Sequence, residues 1–202
     1  FRFRSLLWSG YTKFLMATFI MLPNATVGTS DFTGNGGSSA VYSDVDNDNG
    51  GLQYAQAASA NDTMTFELAS PSVAEEDIES IDSVKVKASV DKFGLGNGQM
   101  KLSMLGTDAD GATISNGTNT IAVPFSGGYA NYSGAAETTP NSGDWVYGDL
   151  AGLQIKAINT YNYRGISRLR ISYFYAEVTY TEAAADVTDN ATLDYGNPMF
   201  RV

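Results

Sequence analysis

The sequence predicts an all-β protein, a jelly-roll-like antiparallel β-sandwich with extended N- and C-terminal arms. Three observations lead there. Apolar and polar residues alternate through several short segments, the period of a strand buried on one face. Turn signals separate those segments: Gly94-Leu95-Gly96-Asn97-Gly98, Asp110-Gly111, Asn116-Gly117, Gly127-Gly128 and Ser142-Gly143. Helical patterning is scarce; Ser72 ahead of Glu75 and Glu76 suggests one short helix over 73–79. About eight strands at this spacing suit a sandwich or jelly roll.

Residues 1–27 are the most apolar part of the chain. Arg2, Arg4 and Lys13 precede the run 14–22, the order of a secretory signal. The chain opens on Phe1 rather than Met, which implies processing or a start within a longer chain. The run is shorter than the roughly 20 apolar residues of a membrane-spanning helix. Retained, it needs burial, so it is expected to be an arm packed on the domain or on a neighbouring subunit. Its contact residues would be Phe1, Phe3, Leu6, Leu7, Trp8, Phe14, Leu15, Phe19, Ile20 and Leu22. Residues 28–40 read as a Gly/Ser linker.

The sandwich is expected over 41–181. In 63–68, Met64, Phe66 and Leu68 share one face; in 83–90, Val84, Val86, Ala88 and Val90 do. Met100, Leu102 and Met104 follow, then Ile121, Val123 and Phe125, then Leu153, Ile155 and Ala157. A long last strand runs from about 168 to 181. Its apolar parity shifts from Leu169 and Ile171 to Phe174, Ala176 and Val178, which predicts a bulge near Ser172–Tyr173 or burial on both faces. Residues 182–202 read as a C-terminal arm ending in an apolar peg of Leu193, Tyr195, Met199 and Phe200.

Composition removes many chemistries. The chain has no Cys and no His. That excludes disulfides, thiolate nucleophiles, Ser-His-Asp triads and conventional zinc or copper sites. The net charge of −10 is unevenly spread: no Lys or Arg lies between Phe14 and Val84, a stretch with 11 acidic residues. Such a surface disfavours nucleic acid.

The loop Asp44-Val45-Asp46-Asn47-Asp48-Asn49-Gly50 offers Asp44, Asp46 and Asp48 as candidate calcium ligands. It is not an EF-hand, because the twelfth positions are Ala55 and Ala57 rather than Glu. A solvated acidic turn is the competing reading, and no other cofactor is expected. Asp108-Ala109-Asp110-Gly111 reads as a hairpin turn. Asn-x-Ser/Thr sequons at Asn24, Asn61, Asn116, Asn131 and Asn190 are candidate glycosylation sites. Tyr129, Tyr132, Trp145, Tyr147, Tyr161 and Tyr163 form an aromatic-rich stretch suited to stacking on sugars or to filling a core and its rim. Glu75, Glu76, Asp77 and Glu79 crowd one segment and cannot flank a glycosidic bond from opposite sides. No Ser-x-x-Lys pairs a nucleophile with a base. No catalytic residue is assigned.

Four segments carry a resemblance: VYSDVDNDNGGLQYAQAASANDTMTFEL, IDSVKVKASV, SGDWVYGDLAGLQIKA and RLRISYFYAEVTY. Together they resemble β-sandwich domains of tailed-phage virion proteins, with their Gly-x-x-Trp-Thr-x-x-Asp-Leu-x-x-Leu-Gln-x-Gly element and a closing Arg-Ile-Ser-x-x-Tyr-x-Glu-Val-x-Tyr strand. The chain departs from that pattern at Lys156, where Gly is common. The resemblance implies a non-enzymatic structural subunit of a virion, a decoration, neck or tail component, contacting copies of itself and other structural subunits. The alternative is an extracellular, pilus-like filament subunit assembled by donor-strand exchange of the N-terminal arm. A type IV pilin is excluded, since Ser5 replaces its Glu and Arg2, Arg4 and Lys13 interrupt the helix. The third expectation is a carbohydrate-binding module that holds surface glycans on the Tyr/Trp stretch. Each places the protein on a virion or outside the cell.

Overall fold

The computed structural model describes residues 15–35, 41–46, 51–93, 98–116, 120–124, 128–141, 143–160 and 168–184. Twelve strands lie among them: β1 (Met16–Met21), β2 (Pro23–Thr26), β3 (Thr33–Gly34), β4 (Ala55–Gln56), β5 (Thr63–Leu68), β6 (Ile78–Phe93), β7 (Gly98–Thr107), β8 (Thr113–Asn116), β9 (Thr120–Val123), β10 (Ala130–Glu137), β11 (Gln154–Asn159) and β12 (Arg168–Glu182). They form two six-stranded sheets. The first runs β10-β6-β12-β4-β3, with β1 also on β12; the second runs β2-β5-β11-β7-β8, with β9 also on β7. Every pairing is antiparallel. The all-β antiparallel sandwich expected from the alternation is the fold found.

Alternation decides which side chains enter the core. Met64, Phe66 and Leu68 of β5, Met100, Leu102 and Met104 of β7, and Ile155 and Ala157 of β11 are buried from the second sheet. Val84, Val86, Ala88 and Val90 of β6 and Phe174, Ala176 and Val178 of β12 meet them from the first. Phe66 and Phe174 cross the interlayer edge to face, with ring centroids 6.1 Å apart. Such a pair adds about 0.5–1.5 kcal/mol beyond its area burial.

β12 shows the expected bulge. Its register against β6 shifts between Ile171 and Tyr173, and Ser172 is the extra, buried residue. Leu169 and Ile171 point inward before the bulge, Phe174, Ala176 and Val178 after it. The β7–β8 hairpin also forms at Asp108-Ala109-Asp110-Gly111. There the Asp108 amide donates to the Ala112 carbonyl (2.8 Å), and Gly111 takes a positive φ of 86°.

Four expectations are corrected. Of the two placements expected for the N-terminal arm, residues 16–26 take the one on the domain, but as part of the sandwich rather than outside it, because β1 and β2 are strands of this chain's own two sheets. Phe19 and Met21 are buried in its own core, and Phe19 packs edge to face on Tyr180 at 5.6 Å. A six-residue apolar alternation at the edge of a sheet is a strand whichever chain supplies the sheet. The stretch 28–40 is not a plain linker either: Phe32 is buried and Thr33–Gly34 is β3. The sandwich therefore begins well before residue 41, and removing 1–27 would strip two of its strands. The segment 73–79 holds only a single 3₁₀ turn, Glu75–Asp77, with no side-chain cap. Finally, the strands number twelve rather than about eight, since β1, β2, β3 and β10 were not anticipated as strands. Among the described residues, no helix is long and apolar enough to cross a membrane.

Core membership of β1 is testable by urea denaturation. Met21→Ala should lower the unfolding free energy by about 2–4 kcal/mol. Met16→Ala, on the exposed side of the same strand, should stay within about 0.5 kcal/mol. Equal, small effects would place β1 outside the cooperative core.

Candidate functional site

The bulge at Ser172 lets Arg170, Tyr173, Tyr175 and Glu177 share the solvent side of the first sheet, all half-buried. Register then fixes their neighbours. Arg170 lies opposite Asp91 of β6 and Gln56 of β4. Tyr173 lies opposite Ser89, Tyr175 opposite Lys87, and Glu177 opposite Lys85 and Ile20. On β10, Asn131 faces Ser89 and Ser133 faces Lys87. Tyr129, just ahead of β10, falls beside Asp91.

Two kinds of group dominate this surface. The first is aromatic: Tyr173 and Tyr175 sit side by side, with ring centroids 4.6 Å apart and planes inclined by 36°. The second is charged and held in place. The Arg170 guanidinium lies 4.7 Å from the centre of the Tyr54 ring, and its Nε donates to Gln56 Oε1 at 3.0 Å. A cation over a phenol ring at a partly exposed site contributes about 0.5–1 kcal/mol. Lys87 Nζ meets Glu177 Oε2 at 2.5 Å, with both side chains about one-quarter exposed.

Tyr129 closes one end. A Cβ on Gly51 would overlap its ring, so the 51 position, at φ 86°, must be glycine for the loop to lie this close. Burial pushes the Tyr129 hydroxyl up to about 12; the nearby Asp91 carboxylate acts in the same sense, while Arg170 opposes it. The Tyr129 hydroxyl and Asp91 Oδ1 are buried without a hydrogen-bond partner among the described residues. Lys92, next along β6, is buried, and desolvation pulls its ammonium below the usual lysine value, with Asp91 opposing.

Among the described residues of the aromatic stretch singled out from sequence, Tyr129 alone belongs to this surface. Trp145 is 3% exposed, and its Nε1–H donates to the Glu137 carbonyl at 3.0 Å. It stitches β10 to the 145–150 turn and belongs to the core. The Tyr147 hydroxyl donates to the Val73 carbonyl at 3.0 Å, and Tyr132 packs partly against the core. Tyr161 and Tyr163 lie outside the described residues. Asp149, from the same motif as Trp145, accepts from the amides of Val146 (2.8 Å) and Ala109 (2.7 Å), so it serves as a turn former.

Asp44 is wholly buried, and a Cβ on Gly34 would overlap its carboxylate; Asp46 is half-buried and Asp48 is outside the described residues. Among the described residues, no group of three or more His, Cys, Asp or Glu could hold a metal ion. Asn24, Asn61 and Asn131 are exposed, whereas the Asn116 amide donates to the carbonyls of Thr139 (3.2 Å) and Pro140 (2.8 Å). Asn190 falls outside the described residues, as do Phe1, Phe3, Leu6, Leu7, Trp8, Phe14, Leu193, Tyr195, Met199 and Phe200. Of the remaining arm residues, Leu15 and Ile20 are exposed, Leu22 is half-buried and Phe19 is in the core.

No protein-family model and no curated protein matches the chain. Solved structures are similar at low identity. A xylan-binding CBM22-1 domain of Xyn10C from Paenibacillus barcinonensis has a TM-score of 0.42 and 14% identity, over 82% of this chain and 94% of that one. A C-terminal family 22 carbohydrate binding module of Xyn10B from Clostridium thermocellum has a TM-score of 0.40 and 10% identity, over 81% and 86%. The enzymatically active domain of tailspike protein 4 of bacteriophage CBA120 has a TM-score of 0.38 and 12% identity, over 80% of this chain and 19% of that one.

The burial of Tyr129 has a signed pH consequence. An unfolded tyrosine loses its proton near pH 10, whereas the folded Tyr129 keeps it until about pH 12. The stability this contributes is complete below about pH 10 and is lost as pH rises towards 12. Tyr129→Phe, which cannot ionise, should therefore flatten the fall in Tm between those limits. Parallel alkaline curves for parent and variant would show that Tyr129 is not desolvated.

Proposed function

We propose that the protein is a non-catalytic, glycan-binding β-sandwich module acting outside the cell or on a particle surface, and that it binds on the solvent side of the β10-β6-β12-β4 sheet. The observation that carries this reading is the half-buried Tyr173–Tyr175 pair, with centroids 4.6 Å apart, set among fixed polar groups. Pyranose rings present C–H faces that pack on aromatic rings, and their hydroxyls bond to charged and amide side chains. Arg170, Gln56, Asp91, Lys87 and Glu177 supply those side chains around the pair. An open sheet face suits a polymer that continues past the site at both ends.

The carboxylates on this face support binding rather than hydrolysis. Asp91 and Glu177 are separated by six residues along β6, since Glu177 pairs with Lys85. At about 3.3 Å per residue that is roughly 20 Å, far beyond the ~5–10 Å of a glycosidase pair.

Affinity electrophoresis in gels containing single polysaccharides tests the reading. At least one polysaccharide should retard the protein, and Tyr175→Ala should weaken that binding about tenfold, the ~1–1.5 kcal/mol of an aromatic contact, with an unchanged Tm. Retention by no polysaccharide, or a Tyr175→Ala variant that binds as the parent, would overturn it.

A second reading, self-assembly in a particle or fibre, is favoured by one feature. Among the described residues β1 pairs only with β12, and Leu15, Met16 and Ile20 are exposed along it. An apolar edge strand invites another strand. If it assembles, the protein should sediment as an oligomer at micromolar concentration, and Ile20→Lys should return it to single chains. A monomeric parent would end this reading.

A further inference from the structure

We infer that the polymer held on this face is anionic, a polysaccharide carrying carboxylates. This deepens the glycan reading and rests on it.

The argument is one of charge placement. The described residues hold seven Lys and Arg: Lys85, Lys87, Lys92, Lys101, Lys156, Arg168 and Arg170. Four of them, Lys85, Lys87, Arg168 and Arg170, stand on the solvent side of β6 and β12. Arg168 lies opposite Phe93 and Lys85 opposite Glu177, so the four span eight residues of β6. That is a track about 26 Å long at ~3.3 Å per residue, with Tyr173 and Tyr175 in its middle.

The same stretch carries two acids, Asp91 and Glu177. Glu177 is engaged by Lys87 at 2.5 Å. Asp91 lies under Tyr129 and opposite Arg170, with Oδ1 buried. The side chains of Lys85 and Arg168, at the two ends, make no hydrogen bond or ion pair with the described residues. The track is thus cationic on a chain of net charge −10. Acids beyond a Debye length of about 8 Å are screened at physiological salt. A neutral glycan would use the tyrosines and leave both end cations without a role. A polyuronate would use them, since guanidinium and ammonium groups bond carboxylates more strongly than hydroxyls. Repeating carboxylates also let one chain reach Arg168 and Lys85 together.

The test compares polygalacturonate with its fully methyl-esterified, uncharged form, using the full chain and isothermal titration at two salt concentrations. Polygalacturonate should bind at least about tenfold more tightly in 50 mM salt, and the advantage should shrink several-fold in 500 mM salt. Lys85→Gln and Arg168→Gln should each lower polygalacturonate affinity about two- to fivefold and leave the methyl ester unchanged. Tyr175→Ala should weaken both. Equal or tighter binding of the methyl ester, or full polygalacturonate affinity in the Lys85→Gln, Arg168→Gln double variant, would overturn the anionic assignment while leaving the glycan reading in place. Binding of neither polymer, together with no retention by any neutral polysaccharide, would overturn both.

Discussion

The backbone of β12 is the constraint on which the rest of the structure depends. Fifteen consecutive residues, Arg168–Glu182, run through the first sheet, and each buried amide and carbonyl needs a partner. One edge is met by β6 along nearly its whole length. The other is assembled from distant pieces of chain. β4 pairs with Arg170 and Ile171, the Val45 carbonyl accepts from the Phe174 amide at 3.0 Å, and β1 pairs from Ala176 to Thr181. The Leu15 carbonyl then accepts from the Glu182 amide at 2.9 Å. This explains why the 41–45 turn is buried although it is polar: Asp44 and Val45 are both wholly buried, because Val45 fills the gap between two strands. It explains as well why the N-terminal segment belongs to the domain. Without β1, six residues of β12 would lose one edge.

The same strand creates the candidate site. Were β12 regular, the outward parity of Arg170 would continue through Phe174, Ala176 and Val178, which would expose the core set. The extra residue Ser172 reverses the parity. Leu169 and Ile171 thereby share the core with Phe174, and Arg170 shares the solvent face with Tyr173 and Tyr175. A bulge that re-aims side chains beside a functional surface is a recurrent use of the motif. Here one inserted residue keeps Phe174 in the core and gathers Arg170, Tyr173 and Tyr175 on one solvent face.

This also marks how far the sequence could be read. The alternation in 63–68 coincides with β5, and the parity shift in 168–181 located the bulge, because both signals are local and period-two. β10 was missed because Ala130–Glu137 is half-buried at most and nearly patternless. β1 was taken for an assembly arm because an apolar run looks the same whether it completes its own sheet or another's. Trp145 drew notice by chemistry, yet its indole is buried and bonded. The actual surface joins Tyr54 and Gln56 to Asp91, Tyr129, Arg170, Tyr173 and Tyr175. Only register brings such remote positions together, and register depends on a bulge and on the pairing of a two-residue strand. Lone tyrosines on alternating strands give no sign of this beforehand.

The acidity of the chain also takes a different meaning from its structure. Three of its carboxylates are turn formers: Asp62 accepts from the amides of Ala58 and Ser59, Asp108 from Asp110 and Ala112, Asp149 from Val146 and Ala109. Asp is favoured at such positions because its short carboxylate reaches the backbone two to four residues away. A sandwich with twelve strands needs many turns, so part of the acidity follows from topology: Asp62, Asp108 and Asp149 all sit between strands. The seven described lysines and arginines lie along the strands, where a long stem can cover apolar surface while its head reaches water. Among the described residues, four of the seven Lys and Arg therefore gather on the first sheet's solvent face. What governs an encounter at one face is the charge within a Debye length of it, and there Arg168, Arg170, Lys87 and Lys85 outnumber Asp91 and Glu177.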